Sequence, residues 1–227
     1  MPSARLHAAW LAAFALPVAA VAAPIAYTDS TAFFAALPGA AVTADFDGIA
    51  SGSVIASGGA ADGITFTYDF GDVDLIVTDG SAAGGGGPFP TTSAPNFLGT
   101  SDFDLLLDGD DLALGFATAN AVGLFIVTAE VPGVTLFDGD IGLAAGGATA
   151  LLDVDALVAT LSDGSLVFLL GVIDAASSFA SASLDTFGGG GAFAFNVDDI
   201  VTAVPEPGVA ALAALGLFVW AAQRRSP

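Results

Sequence analysis

Aspartates spaced two apart recur along the chain: Asp45 and Asp47, Asp72 and Asp74, Asp102 and Asp104, Asp108 with Asp110 and Asp111, Asp138 and Asp140, Asp153 and Asp155. In an extended backbone, residues i and i+2 project from one face. Each pair can therefore turn two oxygens toward one hard cation, and calcium is the candidate cofactor. If the first and last strands lie side by side, Asp45 and Asp47 approach Asp198 or Asp199, which makes these four the candidate metal ligands. None of the pairs belongs to an EF-hand loop. In D-F-D-L-L-L-D-G-D-D, Leu106 stands at the third oxygen position and Leu107 where the glycine is required. The alternative for every pair is an aspartate of a solvated turn.

Other chemistry is narrower. Between Ala8 and Gln223 there is no His and the chain has no Cys. That excludes a Ser-His-Asp or Cys-His nucleophile, and a zinc site of the usual nitrogen or sulfur type. A carboxylate-pair glycosidase needs only Asp or Glu and survives formally, although Glu130, in the loop-like E-V-P-G, is the one glutamate before Glu206. Phe89 and Phe97, in G-P-F-P-T-T-S-A-P-N-F-L-G, are either the walls of a sugar site or loop anchors.

Charge sets a further limit. Of 227 residues, 24 are acidic and 3 basic, for a formal charge of -21, and the cations sit only at the ends: Arg5, Arg224 and Arg225, with His7 beside the first. A middle without fixed positive charge repels phosphate backbones, so nucleic acid is excluded as a partner. It also contains no salt bridge, so its carboxylates must be solvated, bonded to N–H groups, or neutralised by bound cations. With 55% hydrophobic residues the chain is nevertheless well above a disordered composition.

The ends read as addresses. Arg5 and His7 precede an apolar stretch from Ala8 to about Val18 and then small residues, the pattern of a secretory signal peptide over residues 1–22. Signal peptidase is expected to cut after Ala22, with Ala20 and Ala22 in its small pockets, because cleavage one residue later places Pro24 just past the scissile bond. The other end runs apolar from Gly208 to Ala222 and then turns basic. As a helix it rises roughly 22 Å against a hydrocarbon core of about 30 Å. Trp220 stands at an interfacial position, and Arg224 and Arg225 follow as a positive-inside anchor.

Val204-Pro205-Glu206-Pro207, this apolar run and the terminal Arg pair together resemble the tripartite PEP-CTERM sorting signal of Gram-negative bacteria. The resemblance covers about the last tenth of the chain. It implies recognition by exosortase, a membrane-embedded transpeptidase-like enzyme. It also implies export through the inner membrane, a transient anchor there, and release to the cell surface or an exopolysaccharide matrix. On that reading Val204, Pro205, Glu206 and Pro207 are acted upon and do not act. Two prolines exclude the segment from a strand ladder or a helix interior, which keeps it extended.

Between the addresses, residues 23–203 alternate short apolar segments with Gly, Asp, Ser and Pro. Strands are expected at Val42 to Phe46, Ile64 to Phe70, Asp74 to Thr78, Leu112 to Phe116, Ala121 to Thr128, Val134 to Asp138, Ala156 to Leu161, Leu166 to Val172, Ser181 to Phe187 and Phe193 to Val201. Ser162 to Ser165 reads as a hairpin turn, and Ser30 to Leu37 as a single helix capped at its start and stopped by Pro38-Gly39. The glycine runs 84–87 and 188–191 lack phosphate-loop residues and read as loops. The fold class is all-β, a sandwich. The D-D-I of Asp198 to Ile200, just before the sorting-like signal, resembles the last strand of jelly-roll domains that carry such tails. The expected architecture is thus a jelly-roll-like β-sandwich, with a signal-peptide helix before it and a single transmembrane helix in 204–227. The expected function is that of a non-enzymatic exported surface or matrix protein. A carbohydrate-binding, lectin-like module using calcium is the alternative, and a glycan-active hydrolase the distant one.

Overall fold

Branched and aromatic side chains at every second position suit a pleated, half-buried surface. In I-T-F-T the computed structural model buries Ile64 and Phe66 and exposes Thr65 and Thr67. The structure describes residues 22–83, 89–128, 136–187 and 193–204. The signal-peptide stretch up to Val21 and the tail from Pro205 lie outside the described residues. Among the described residues no helix is long and apolar enough to cross a membrane.

In chain order the elements are β1 (Ile25–Tyr27), α1 (Ser30–Ala36), β2 (Ala41–Ala44), β3 (Ser53–Ile55), β4 (Ala60–Ala61), β5 (Ile64–Thr67), β6 (Leu75–Thr78), β7 (Phe97–Thr100), β8 (Leu106–Leu107), β9 (Leu112–Ala119), β10 (Ala121–Thr128), β11 (Ile141–Ala145), β12 (Ala148–Leu151), β13 (Ala159–Thr160), β14 (Leu166–Ile173), β15 (Phe179–Thr186) and β16 (Ala194–Ala203). They form two antiparallel sheets. The larger runs β1-β14-β10-β16-β7-β6-β3, with β13 beside β14 and both β2 and β8 beside β16; the smaller runs β12-β11-β15-β9-β5-β4. Their facing sides share one core, in which Phe66, Leu114, Leu143 and Leu184 of the smaller sheet join Leu124, Leu170, Phe195 and Val197 of the larger. The molecule is therefore an all-β sandwich.

Local chemistry decides where the expected strands stop. The segment from Ile64 ends its ladder at Thr67 because the Ser57 hydroxyl accepts the Tyr68 N–H at 3.0 Å and donates to the Tyr68 carbonyl at 2.8 Å. Residues 136–138, the described part of an expected strand, join no ladder and lead into a turn closed by the Asp140 N–H on the Phe137 carbonyl at 3.2 Å, with Asp140 Oδ2 accepting the Phe137 N–H at 2.7 Å. The S-D-G-S hairpin is present: Leu161 N–H donates to the Ser165 carbonyl at 2.8 Å, and Gly164 takes a φ of +96. The strand before it shortens to Ala159–Thr160. The hairpin of β11 and β12 was not expected. It turns on Gly146 and Gly147, at φ +56 and +88, the mirror-image geometry that two-residue hairpins need.

The helix begins at Ser30, as expected, and ends one residue short of Leu37. Asp29, not Ser30, is the cap, accepting the Ala32 N–H at 2.9 Å. Seven residues cannot hold a helix alone. Phe33 docks it onto the outer side of the larger sheet, with Ala121, Leu169, Ile173, Val201 and Ala203. Its ring lies over Gly123 and Gly171, which face each other across β10 and β14. A Cβ added at Gly171 would stand 2.5 Å from Phe33 Cδ2, and one at Gly123 2.6 Å from its Cζ.

Register also places the chain's ends. Ile25, Ile173, Ala121, Ala203 and Ala41 form one row across β1, β14, β10, β16 and β2. The chain enters and leaves the sandwich at this end.

Gly171→Ala is expected to lower unfolding stability by about 1–3 kcal/mol through overpacking against Phe33. In a Phe33→Ala background the same change should cost almost nothing, a coupling that urea titration of the four-variant cycle measures.

Candidate functional site

Strands β2 and β16 pair, with Ala44 opposite Ile200 and Thr43 opposite Val201. One step further brings Asp45 to the level of Asp199, so the first strand expected from the sequence, now β2, does meet the last, while β1, which precedes it, pairs with β14 instead. The bulge there shifts the register between Gly123 and Phe125, and Asp199 takes a left-handed φ of +48 that Asp tolerates.

The four carboxylates then diverge. Asp45 accepts the Asp47 N–H at 3.2 Å, and Asp47 accepts the Asn96 N–H at 3.0 Å. Asp198 is fully buried on the opposite side of the strand from the main core. It collects the hydroxyl of Thr91, that of Thr92 at 2.6 Å, and the N–H groups of Ser93 and Asp199 at 2.9 Å each. Among the described residues no three His, Cys, Asp or Glu side chains are grouped as metal ligands would be. Two residues before Asp198, the side-chain oxygen of buried Asn196 has no hydrogen-bond partner.

The same economy recurs elsewhere. Asp104 is fully buried and accepts Thr78 Oγ1 at 2.6 Å and the Ala83 N–H at 2.8 Å. Asp174 accepts the N–H groups of Ala176 and Ser177, both at 2.9 Å. Asp111 and Asp138 accept those of Thr186 and Val154. Each carboxylate ties a loop to backbone donors that no strand satisfies, which a chain without cations needs. The pairs that could have shared a cation are, where they are bonded, turn and loop anchors.

Titration follows from placement. Burial raises the Asp198 carboxyl above its ordinary value, opposed by its bonds from Ser93, Thr91 and Thr92, with the Asp199 charge adding to the rise. Burial also raises Asp110, opposed by the Leu107 N–H and helped by the charges of Asp102 and Asp111. The hydroxyls of Ser81 and Ser51 lower Asp79. A general acid needs a raised carboxyl within reach of substrate. Asp198 is sealed from it, and Asp110 holds the Leu107 N–H at 2.7 Å.

Phe97 is fully buried and packs 6.4 Å from Phe89, ring centre to ring centre, so it anchors the loop and presents no face to a sugar. Glu130 lies outside the described residues. The open side of the smaller sheet carries a shallow trough of small, uncharged side chains, with Ala113, Ser183, Ala144 and Thr149 in one register row.

At the sorting-like boundary, Val204 is half exposed and its N–H donates to the Ala40 carbonyl at 3.4 Å, the last contact of the β16 end. Ala22 is exposed at the other end. Ala20, Pro205, Glu206, Pro207, Trp220, Arg224 and Arg225 lie outside the described residues. The partners of Asp198 were not anticipated; three consecutive hydroxyl residues, Thr91 to Ser93, are the signal that marks them. No protein-family model, curated protein or solved structure matches the chain.

Asp198→Ala should cost about 1–3 kcal/mol by leaving buried donors unpaired. Its titration has a definite sign. Because the folded-state carboxyl lies above the unfolded value of 3.8, its linkage favours the fold below that value and is lost as pH rises through the raised one. The stability of the native chain minus that of Asp198→Asn is therefore expected to fall as pH rises above the unfolded value of 3.8, read by urea titration at low protein concentration.

Proposed function

We propose that the chain is a non-enzymatic exported surface or extracellular-matrix protein, anchored briefly in the inner membrane, then processed by an exosortase-like enzyme and associated with exopolysaccharide. The observation that carries this reading is the order V-P-E-P, apolar run, Arg-Arg in residues 204–227, opposite an N-terminal secretory pattern. The position of the last ladder supports it. Pairing of β16 with β2 ends at Ala203 opposite Ala41, so the first residue of the motif, Val204, directly follows the last rung of that ladder.

The non-catalytic reading is supported by the carboxylates that hold backbone and hydroxyl donors; among the described residues no three are grouped on a shared space. A jelly roll is the finer architecture we propose for the sandwich. Take β7, β9, β10, β11, β12, β14, β15 and β16 as first to eighth. The larger sheet then orders them first, eighth, third, sixth, and the smaller second, seventh, fourth, fifth. That alternation between sheets is the one two interleaved Greek keys produce.

A carbohydrate-binding role is the second reading, favoured by the uncharged trough on the smaller sheet. Hydroxyls at Ser181, Ser183 and Thr149 line it with no charged side chain among its lining residues, which suits a neutral glycan better than an anionic one. Calcium remains a candidate cofactor of that role.

Replacing Pro205 and Pro207 together by Ala should leave the precursor in the inner-membrane fraction and deplete the surface and matrix fractions at least about tenfold, a loss of about 1.4 kcal/mol or more in recognition. Fractionation followed by immunoblotting reads it. Unchanged release of the double variant contradicts the sorting reading. Retention of a neutral glycan on an array, lost on Ser183→Trp, would support the second.

A further inference from the structure

The row Ile25, Ile173, Ala121, Ala203, Ala41 closes the end of the larger sheet at which both terminal segments depart. Beside it the two sheets part into an apolar groove, with Val42, Ile200 and Val204 on one wall and Ile64 and Phe116 on the other. This end exposes large apolar side chains: Val42 is 66% exposed, Ile25 55% and Val204 52%. The carboxylate that lines the groove, Asp62, has one oxygen held by the Phe46 N–H at 2.8 Å.

The opposite end is different in character. There β8 pairs with the start of β16, and Thr128 faces Leu166 and Phe195. Around those pairings lie the turns that carry Asp108, Asp110, Asp111, Asp138, Asp140 and Asp163. The sandwich is therefore polarised along its length: apolar where its ends emerge, apart from Asp62 and the buried Asp174, and acidic at the far side.

Chain length says what covers the apolar end. Residues 205–207 alone separate Val204 from the apolar run that begins at Gly208. From Val204 to Gly208 a fully extended chain reaches about 14 Å. A bilayer that holds the run stands close to the groove, because the headgroup region takes about 5–8 Å of that reach and leaves less than about 10 Å between its outer face and Val204. Anionic headgroups repel the acidic end and so favour the same orientation.

We propose that the end of the sandwich lined by Val42, Phe116, Ile200 and Val204 is a lipid-docking surface, resting on the bilayer interface while the chain is anchored. It rests on the membrane-anchor reading given above. The docked end shields the groove from water and points the acidic turns away from the membrane, toward the compartment into which the domain is released.

Zero native cysteine makes the test direct. The full chain carries Trp10→Phe, which leaves Trp220 as its one tryptophan, and an environment-sensitive dye at Val42→Cys or, as control, at exposed Phe103→Cys. It is reconstituted in phosphatidylethanolamine–phosphatidylglycerol vesicles containing bromolipid. The expected result is quenching of Trp220 and of the Val42 dye, the latter at least about two-fold more than the Phe103 dye. Quenched Trp220 with an unquenched Val42 dye overturns the docking surface and leaves the anchor standing. Unquenched Trp220 overturns the anchor and the docking with it. A blue-shifted Val42 dye without bromolipid quenching assigns the groove to a protein partner and also overturns the proposal.

Discussion

A carboxylate with no cation to face must find an N–H or hydroxyl donor, or stay in water. From Ala8 to Gln223 no Lys, Arg or His is available, and the fold is shaped by that lack. Its loops are held by aspartates that accept backbone donors beyond the reach of the ladders, from Asp29 at the helix start to Asp198 under the Thr91–Ser93 segment. Bonds of a charged acceptor to N–H groups are stronger than neutral ones. The same groups would be costly if buried unpaired, which is why Asp104 and Asp198, both fully buried, each hold more than one donor.

This economy lets the sheets be built from small and apolar residues. Gly123 and Gly171 open a slot for Phe33, and the slot fixes α1 against the outer side of the larger sheet. The terminal strands of the two sheet paths are short: β1, β3, β4 and β12 have between two and four residues. Short edges offer little template for pairing with another copy. Uniform negative charge adds repulsion between copies.

The fold was most legible where side chains alternate or run apolar. Ala121 to Thr128 appears as a strand with the bounds its sequence suggests, and Ile64 to Thr67 with the expected facing. Strands hidden in Ala-Gly composition were not legible. In I-G-L-A-A-G-G-A-T-A-L the two glycines carry the turn, but alanine has no strong strand preference, and only the pairing of β11 with β15 makes it a strand. The meeting of β2 with β16 was readable as a hypothesis from D-F-D and D-D-I. The fate of their carboxylates was not, because it depends on Thr91, Thr92, Ser93 and Asn96, which join them across a long separation in sequence. Extended-chain geometry places i and i+2 on one face, but a left-handed Asp199 and the turn at Phe46, also at positive φ, break that geometry where it was needed.

What remains at the boundary is a last ladder that ends at Ala203 and a tail whose sequence reads as an address. Intact-mass measurement of the protein recovered from the cell surface or matrix tests that division most directly. The expected mass begins at Ala23 and ends within or just after Val204 to Pro207, without Trp220, Arg224 and Arg225. A recovered surface protein whose mass includes the tail through Pro227 would contradict it.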